Sequence, residues 1–118
     1  MNEIQQYIPD QDARKSLANK LNLEYAEDMQ DWEYEVSDYH RLSDFIEEYD
    51  KAVTSVKERE ALMEIILDSL NDLLETGNSE MFQFYFPKIE KRLIHNFNIH
   101  SATLKYWRIN NFKISQKL

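Results

Sequence analysis

A chain of 118 residues with a net charge of −8 is long enough to bury about two thirds of its unfolded surface around one core without covalent staples. No cysteine is present, which excludes disulfides, thiolate metal sites and a cysteine nucleophile, and the single glycine excludes a Gly-rich phosphate loop and a nucleophile elbow. Residues 1–50 carry 14 acidic and 4 basic side chains, residues 51–80 carry 7 and 3, and residues 81–118 carry 1 and 7, so the two ends of the chain either lie together and neutralise, which is the expectation, or form separate faces for different partners.

From the start of the chain, Met1 to Tyr7 is read as a turn of helix, with Pro9 at the boundary of the next element. The opening residues hold no basic segment followed by an apolar run, so no secretory leader is expected and the protein is placed in the cytoplasm. Asp10 or Asp12 caps a helix through Lys20, with Ala13, Leu17 and Leu21 as its apolar seam. Residues 24–38 fit two periods. Tyr25, Met29, Trp32 and Val36 lie at helical spacing, whereas Trp32, Tyr34 and Val36 alternate with acids as an exposed strand would. A lone strand needs a partner, and only Phe82, Phe84 and Phe86 offer one. The expectation is a helix ending near Trp32 or a little beyond, with a two-stranded ribbon of 32–36 and 82–86 as the alternative.

Ser37 or Asp38 caps the following helix, whose seam is Leu42, Phe45, Ile46, Tyr49 and Val53; Asp44 with Glu47 offers a later start. Next comes the most apolar stretch. Leu62, Ile65, Ile66, Leu70, Leu73 and Leu74 recur at helical spacing, and Met63 and Leu67 widen the face until one stripe remains polar: Glu60, Glu64, Asp68, Asn71, Asp72 and Glu75. Ser55 with Glu58 forms a capping box, and Gly77 suits a left-handed stop. These signals bound a helix of residues 56–76. A helix so apolar must be covered on several sides. Its break at Thr54 and Ser55 predicts a hairpin with the helix before it.

Asn78 or Ser79 caps the next helix, in which Phe82, Tyr85 or Phe86, Ile89, Leu93 and Phe97 share a face; Pro87 either kinks it or begins a new one. Ser101 caps a last short helix bearing Leu104 and Trp107, followed by a tail tethered by Phe112 and Ile114. The sum is an all-α fold: a small single-domain bundle of about five or six helices around the central helix 56–76.

Chemistry-bearing patterns are few. Glu24, Glu27, Asp28, Asp31 and Glu35 would line one helical face, with Tyr25, Trp32, Tyr34 and Tyr39 interleaved, and charge beside aromatic rings is the composition of binding hot spots. No lysine or arginine interrupts the run from Leu21 to His40. The candidate partner surface is therefore Glu24, Glu27, Asp28, Asp31, Tyr34 and Glu35. Metal binding is not expected, because the residues three before His40, His95 and His100 are Ser37, Arg92 and Phe97 rather than glutamate, and no alternating calcium loop occurs. No cofactor and no catalytic set is expected either.

These features lead to a non-catalytic, acidic protein-binding module, such as an inhibitor or immunity-type partner of a basic toxin or nuclease. The alternative is a nucleic-acid-associated protein using Lys88, Lys91, Arg92, Lys105 and Arg108, whose cations accompany Tyr106, Trp107 and Phe112. A net charge of −8 opposes it. A homodimer, joining exposed rings and complementary ends, is the third possibility. The phrases WEYEV, EREALMEIILDSLNDLL and KYW resemble a helical module of small bacterial proteins, a likeness that carries no chemistry.

Overall fold

The computed structural model of the chain describes residues 7–109. Six α-helices follow one another, α1 (Gln11–Leu21), α2 (Trp32–Glu35), α3 (Leu42–Asp50), α4 (Val56–Glu75), α5 (Ser79–His95) and α6 (Phe97–Ile109), with a 3-10 turn at Tyr39–Arg41 leading into α3. No strand occurs among the described residues, so 32–36 and 82–86 form no ribbon. The Cα radius of gyration is 13.6 Å, near the ~13 Å of a compact chain of about this length. The turn read at Met1–Tyr7, apart from Tyr7 itself, and the tail anchors Phe112 and Ile114 lie outside the described residues.

The element at the centre is α4, which packs against each of the other five helices. Ser55 accepts from the Glu58 amide at 3.1 Å and Glu58 Oε1 accepts from the Ser55 amide at 2.9 Å, so the capping box closes at both ends. At the other end Gly77 takes φ +80°, the left-handed conformation that only glycine reaches without steric cost. Between them, seven consecutive residues, Ala61–Leu67, are buried. Seven residues are about two turns, so no direction around the helix faces water there.

That burial corrects the polar stripe, because Glu64 and Asn71 are in the interior with exposures of 1 % and 7 %. Val53 also departs from its expected seam. It is 78 % exposed, since α3 ends at Asp50 and the chain turns back through Thr54, whose hydroxyl donates to the Glu48 carbonyl at 2.6 Å.

The flanking helices follow their caps. Asp10 accepts from the Ala13 amide in α1, Asp38 from the His40 amide ahead of α3, and Asn78 from the Met81 amide in α5. Pro87 is exposed and sits inside α5 without breaking it, in a helix anchored by buried Phe82, Ile89 and Leu93, with Phe82 and Phe86 stacked at 5.2 Å in the turn before it. Packing there outweighs a lost backbone hydrogen bond. The last helix starts earlier than expected: α6 begins at Phe97, so Ser101 lies inside it and caps nothing, and Phe97 is 58 % exposed rather than part of the α5 face.

Candidate functional site

The largest departure lies between α1 and α2. Residues 24–31 are a loop, and the only helix in the acidic run is the four residues of α2, which begins where the expected helix was to end. Asn22 at φ 55° closes α1 with its amide on the Ala18 carbonyl, and the chain then leaves the helix axis. Three side-chain donors claim carbonyls of the loop. Arg14, 1 % exposed on α1, donates to the carbonyls of Met29 at 2.9 Å and Gln30 at 3.0 Å, and the indole of fully buried Trp32 donates to the Glu24 carbonyl at 2.7 Å. Tyr25 meets the Trp32 ring edge-on at 6.3 Å. A helix through the run would also have set Glu24, Glu27, Asp28 and Asp31 against one another at spacings of three and four, where like charges repel.

Glu24, Glu27, Asp28, Asp31 and Glu35 are all exposed, and Tyr34 is half-buried. They do not form one helical face. Glu24 and Glu35 border one recess, together with Asp38 and Arg41, whereas Asp31 and Tyr34 border another. Glu27 pairs with Lys15 at 2.9 Å on the surface.

The second recess is a cavity of about 160 Å³, lined by Tyr7, Arg14, Asp31, Glu33, Tyr34, Glu64 and Tyr106 among others. Arg14 forks onto buried Glu33 with bonds of 2.8 and 2.6 Å, and Tyr7 donates to the same carboxylate at 2.7 Å. Glu64 Oε2 accepts from the Tyr34 hydroxyl at 2.9 Å. Burial pushes the Glu64 carboxyl above its usual range, opposed by the donors of Tyr34, Thr103 and Trp107 beside it. Burial and the neighbouring carboxylates likewise raise the phenols of Tyr7 and Tyr34 far above normal.

Sequence reasoning missed Arg14, Glu33 and Glu64. Arg14 carried a signal, since positions 14, 17, 18 and 21 share the buried side of α1. Glu33 and Glu64 carried none, because an acid in an acid-rich chain reads as surface.

On the basic side, Lys88, Lys91 and Lys105 are exposed, while Arg92 forks onto Asp50 at 2.8 and 2.5 Å and the Lys88 ammonium lies 4.8 Å from the Phe84 ring centre. The side chain of Arg108 lies outside the described residues. Lys91 and Arg92 border a further recess with Tyr49, Arg59 and His95. Beneath it the Tyr49 hydroxyl accepts from Asn96 at 2.9 Å and shares a hydrogen bond of 2.6 Å with His100 Nε2. Burial and the charge of Arg59 lower His100 to about 4, so it is neutral at pH 7.

Among the described residues no group of three or more His, Asp or Glu side chains could hold a metal ion, and no helix is long and apolar enough to cross a membrane. Comparison of the chain with protein-family models, curated proteins and solved structures finds no match in any of the three.

Proposed function

We propose that the protein is a non-catalytic binding module whose acidic loop and α2, presenting Glu24, Glu27, Asp28, Asp31 and Glu35 with the ring of Tyr34, engage a basic protein as an inhibitor or immunity-type partner does. The observation that supports this most is the grip of Arg14 on the loop carbonyls of Met29 and Gln30 and on Glu33. A loop fixed before binding loses less conformational freedom on association. Surface acids on such a frame steer a cationic partner and raise its rate of encounter. Less supports a nucleic-acid role for Lys88, Lys91, Arg92, Lys105 and Arg108, because Arg92 is already held by Asp50 and Lys88 by Phe84.

The test compares the unchanged protein with a Glu27→Lys, Asp31→Lys, Glu35→Lys variant in affinity capture from cell extract at low and high salt. All three positions are exposed, so the variant folds. A basic protein held by the unchanged chain, released at high salt and absent from the variant, is the expected result. Equal capture by both proteins at low salt would sink the acidic-loop reading.

A further inference from the structure

Of the arginines whose side chains are described, Arg14, Arg41 and Arg92 each hold a carboxylate, and Arg59 holds none. In a chain with 22 acidic residues that is unexpected, because a half-buried guanidinium gives up hydration that a carboxylate would replace. Instead its Nε donates to the Tyr49 carbonyl at 3.0 Å, its Nη2 donates to the Lys51 carbonyl at 2.9 Å, and the group lies 5.6 Å from the Tyr49 ring centre. These contacts fix the guanidinium and leave its Nη1 without a hydrogen-bond partner among the described residues.

Arg59 lines an open recess of about 460 Å³, a volume within the ~300–1,000 Å³ of small-ligand sites. Lys91 and His95, one turn apart on α5, line it too; both are exposed, and neither has an ion-pair or hydrogen-bond partner among the described residues. Arg92 also borders the recess, and its fork cancels Asp50, the one acid among the described lining residues. Two positive charges remain, on Arg59 and Lys91, before His95 is counted. The dipoles of α5 and α6 do not decide the sign, because the C-terminal end of one and the N-terminal end of the other meet at Asn96 and oppose each other.

That excess repels a cation, and a carboxylate would match only half of it. A phosphate monoester carries about 1.5 to 2 negative charges at neutral pH, on oxygens that accept charge-assisted bonds from guanidinium and ammonium groups. A phosphodiester backbone carries one charge per phosphate and needs a row of free cations, which Arg92 and Lys88, already held, do not supply. We propose that the recess is a receptor for one dianionic phosphate group, bound by Nη1 of Arg59 and the Lys91 ammonium with His95 as a further donor. The group is either inorganic phosphate or the head of a small organic monoester. The site is independent of the acidic-loop reading, since a small anion can load it with no protein partner present.

The experiment is a titration of the full chain followed by NMR at about pH 7.5, where a monoester is mostly dianionic, observing the Arg59 guanidinium carbon and the His95 ring at constant ionic strength. Phenyl phosphate is expected to give saturable shifts at these groups, and dimethyl phosphate, with a single charge, to bind at least about tenfold more weakly. Inorganic phosphate separates the sources: binding at least as tight as phenyl phosphate assigns the site to the free anion, and much weaker binding assigns it to organic monoesters. Lys91→Gln weakens phenyl phosphate by about tenfold, the scale of a lost charge-assisted hydrogen bond. Asp50→Asn releases the charge of Arg92 and tightens binding by about threefold, the scale of one unit charge a few ångströms away in water. Arg59→Gln removes binding; because it also releases two carbonyls its folding is checked by its unfolding midpoint, and the Lys91 and Asp50 variants decide the matter if it does not fold. Lys15→Gln, the same loss of charge on α1 outside the recess, leaves binding unchanged. No saturable response to either phosphate, dimethyl phosphate bound as tightly, undiminished binding by Lys91→Gln or folded Arg59→Gln, unstrengthened binding by folded Asp50→Asn, or an equal loss in Lys15→Gln would each overturn the proposal.

Discussion

Glu58 joins two helices through one carboxylate. Its Oε1 completes the α4 capping box, while its Oε2 accepts from Ser16 at 2.8 Å and Lys20 at 2.9 Å, both on α1. Burial alone would raise this carboxyl, but the donors of Ser55, Lys20 and Ser16 outweigh it and hold it at about 2 against an ordinary 4.5. A folded-state value below the unfolded one contributes stability that is complete above about pH 4.5 and is lost as pH falls towards 2, with a ceiling of about 3 kcal/mol. His100 acts in the same sense over a different window. Lowered from 6.5 to about 4, it costs nothing above pH 6.5, and below that the unfolded chain binds the proton that the folded one refuses. Glu64 and Asp68, both raised chiefly by burial, act oppositely, so the readout must be a difference between variants. Glu58→Gln is expected to be less stable than the unchanged protein at pH 7, by denaturant unfolding, with the gap closing between pH 4.5 and 2. A gap constant down to pH 2 would show that the carboxylate is not held by those donors.

At the scale of the element, helix ends are set by local chemistry that survives folding intact. Gly77 illustrates it with no tertiary contribution at all: a Cβ added there would meet nothing within 4 Å, so any penalty for a side chain is conformational. Gly77→Ala is accordingly expected to destabilise by about 1 kcal/mol, the cost of a left-handed backbone for an L-residue. A thermal melt that shows several times that loss would imply a steric clash. Helix interiors answer to their surroundings instead, as α5 running unbroken through Pro87 demonstrates.

At the scale of the molecule, the gradient of charge along the chain is only weakly cancelled by direct contact. Among the described residues one ion pair, Arg92 with Asp50, connects the basic C-terminal third to the acidic remainder. Being partly open to solvent on both sides, it contributes about 1 kcal/mol at most. The buried Arg14–Glu33 pair is the stronger tertiary joint, since it ties α1 to the loop and to α2. Arg14→Met would strand the Glu33 charge and two loop carbonyls, for an expected loss of about 3–5 kcal/mol. Adding Glu33→Met removes the stranded charge and should restore part of that loss. If the double variant proves as unstable as the single one, the carbonyl contacts rather than the ion pair hold the joint.

What the sequence by itself determined is the all-α class, the extent of α4 and its cap at Ser55, with the neighbouring caps narrowed to Asp10 or Asp12 and to Asn78 or Ser79, because hydrophobic period and capping act over a few residues and need no partner. Only the tertiary structure decided the acidic run. Its helical period was genuine in Tyr25, Met29, Trp32 and Val36, yet the carbonyls a helix would have used are taken by Arg14 and Trp32, donors whose partners lie 8 to 16 residues away. The cavity was illegible for the same reason: Glu64 lies inside because other helices surround α4 on every side, and no local pattern records how many neighbours a helix will acquire.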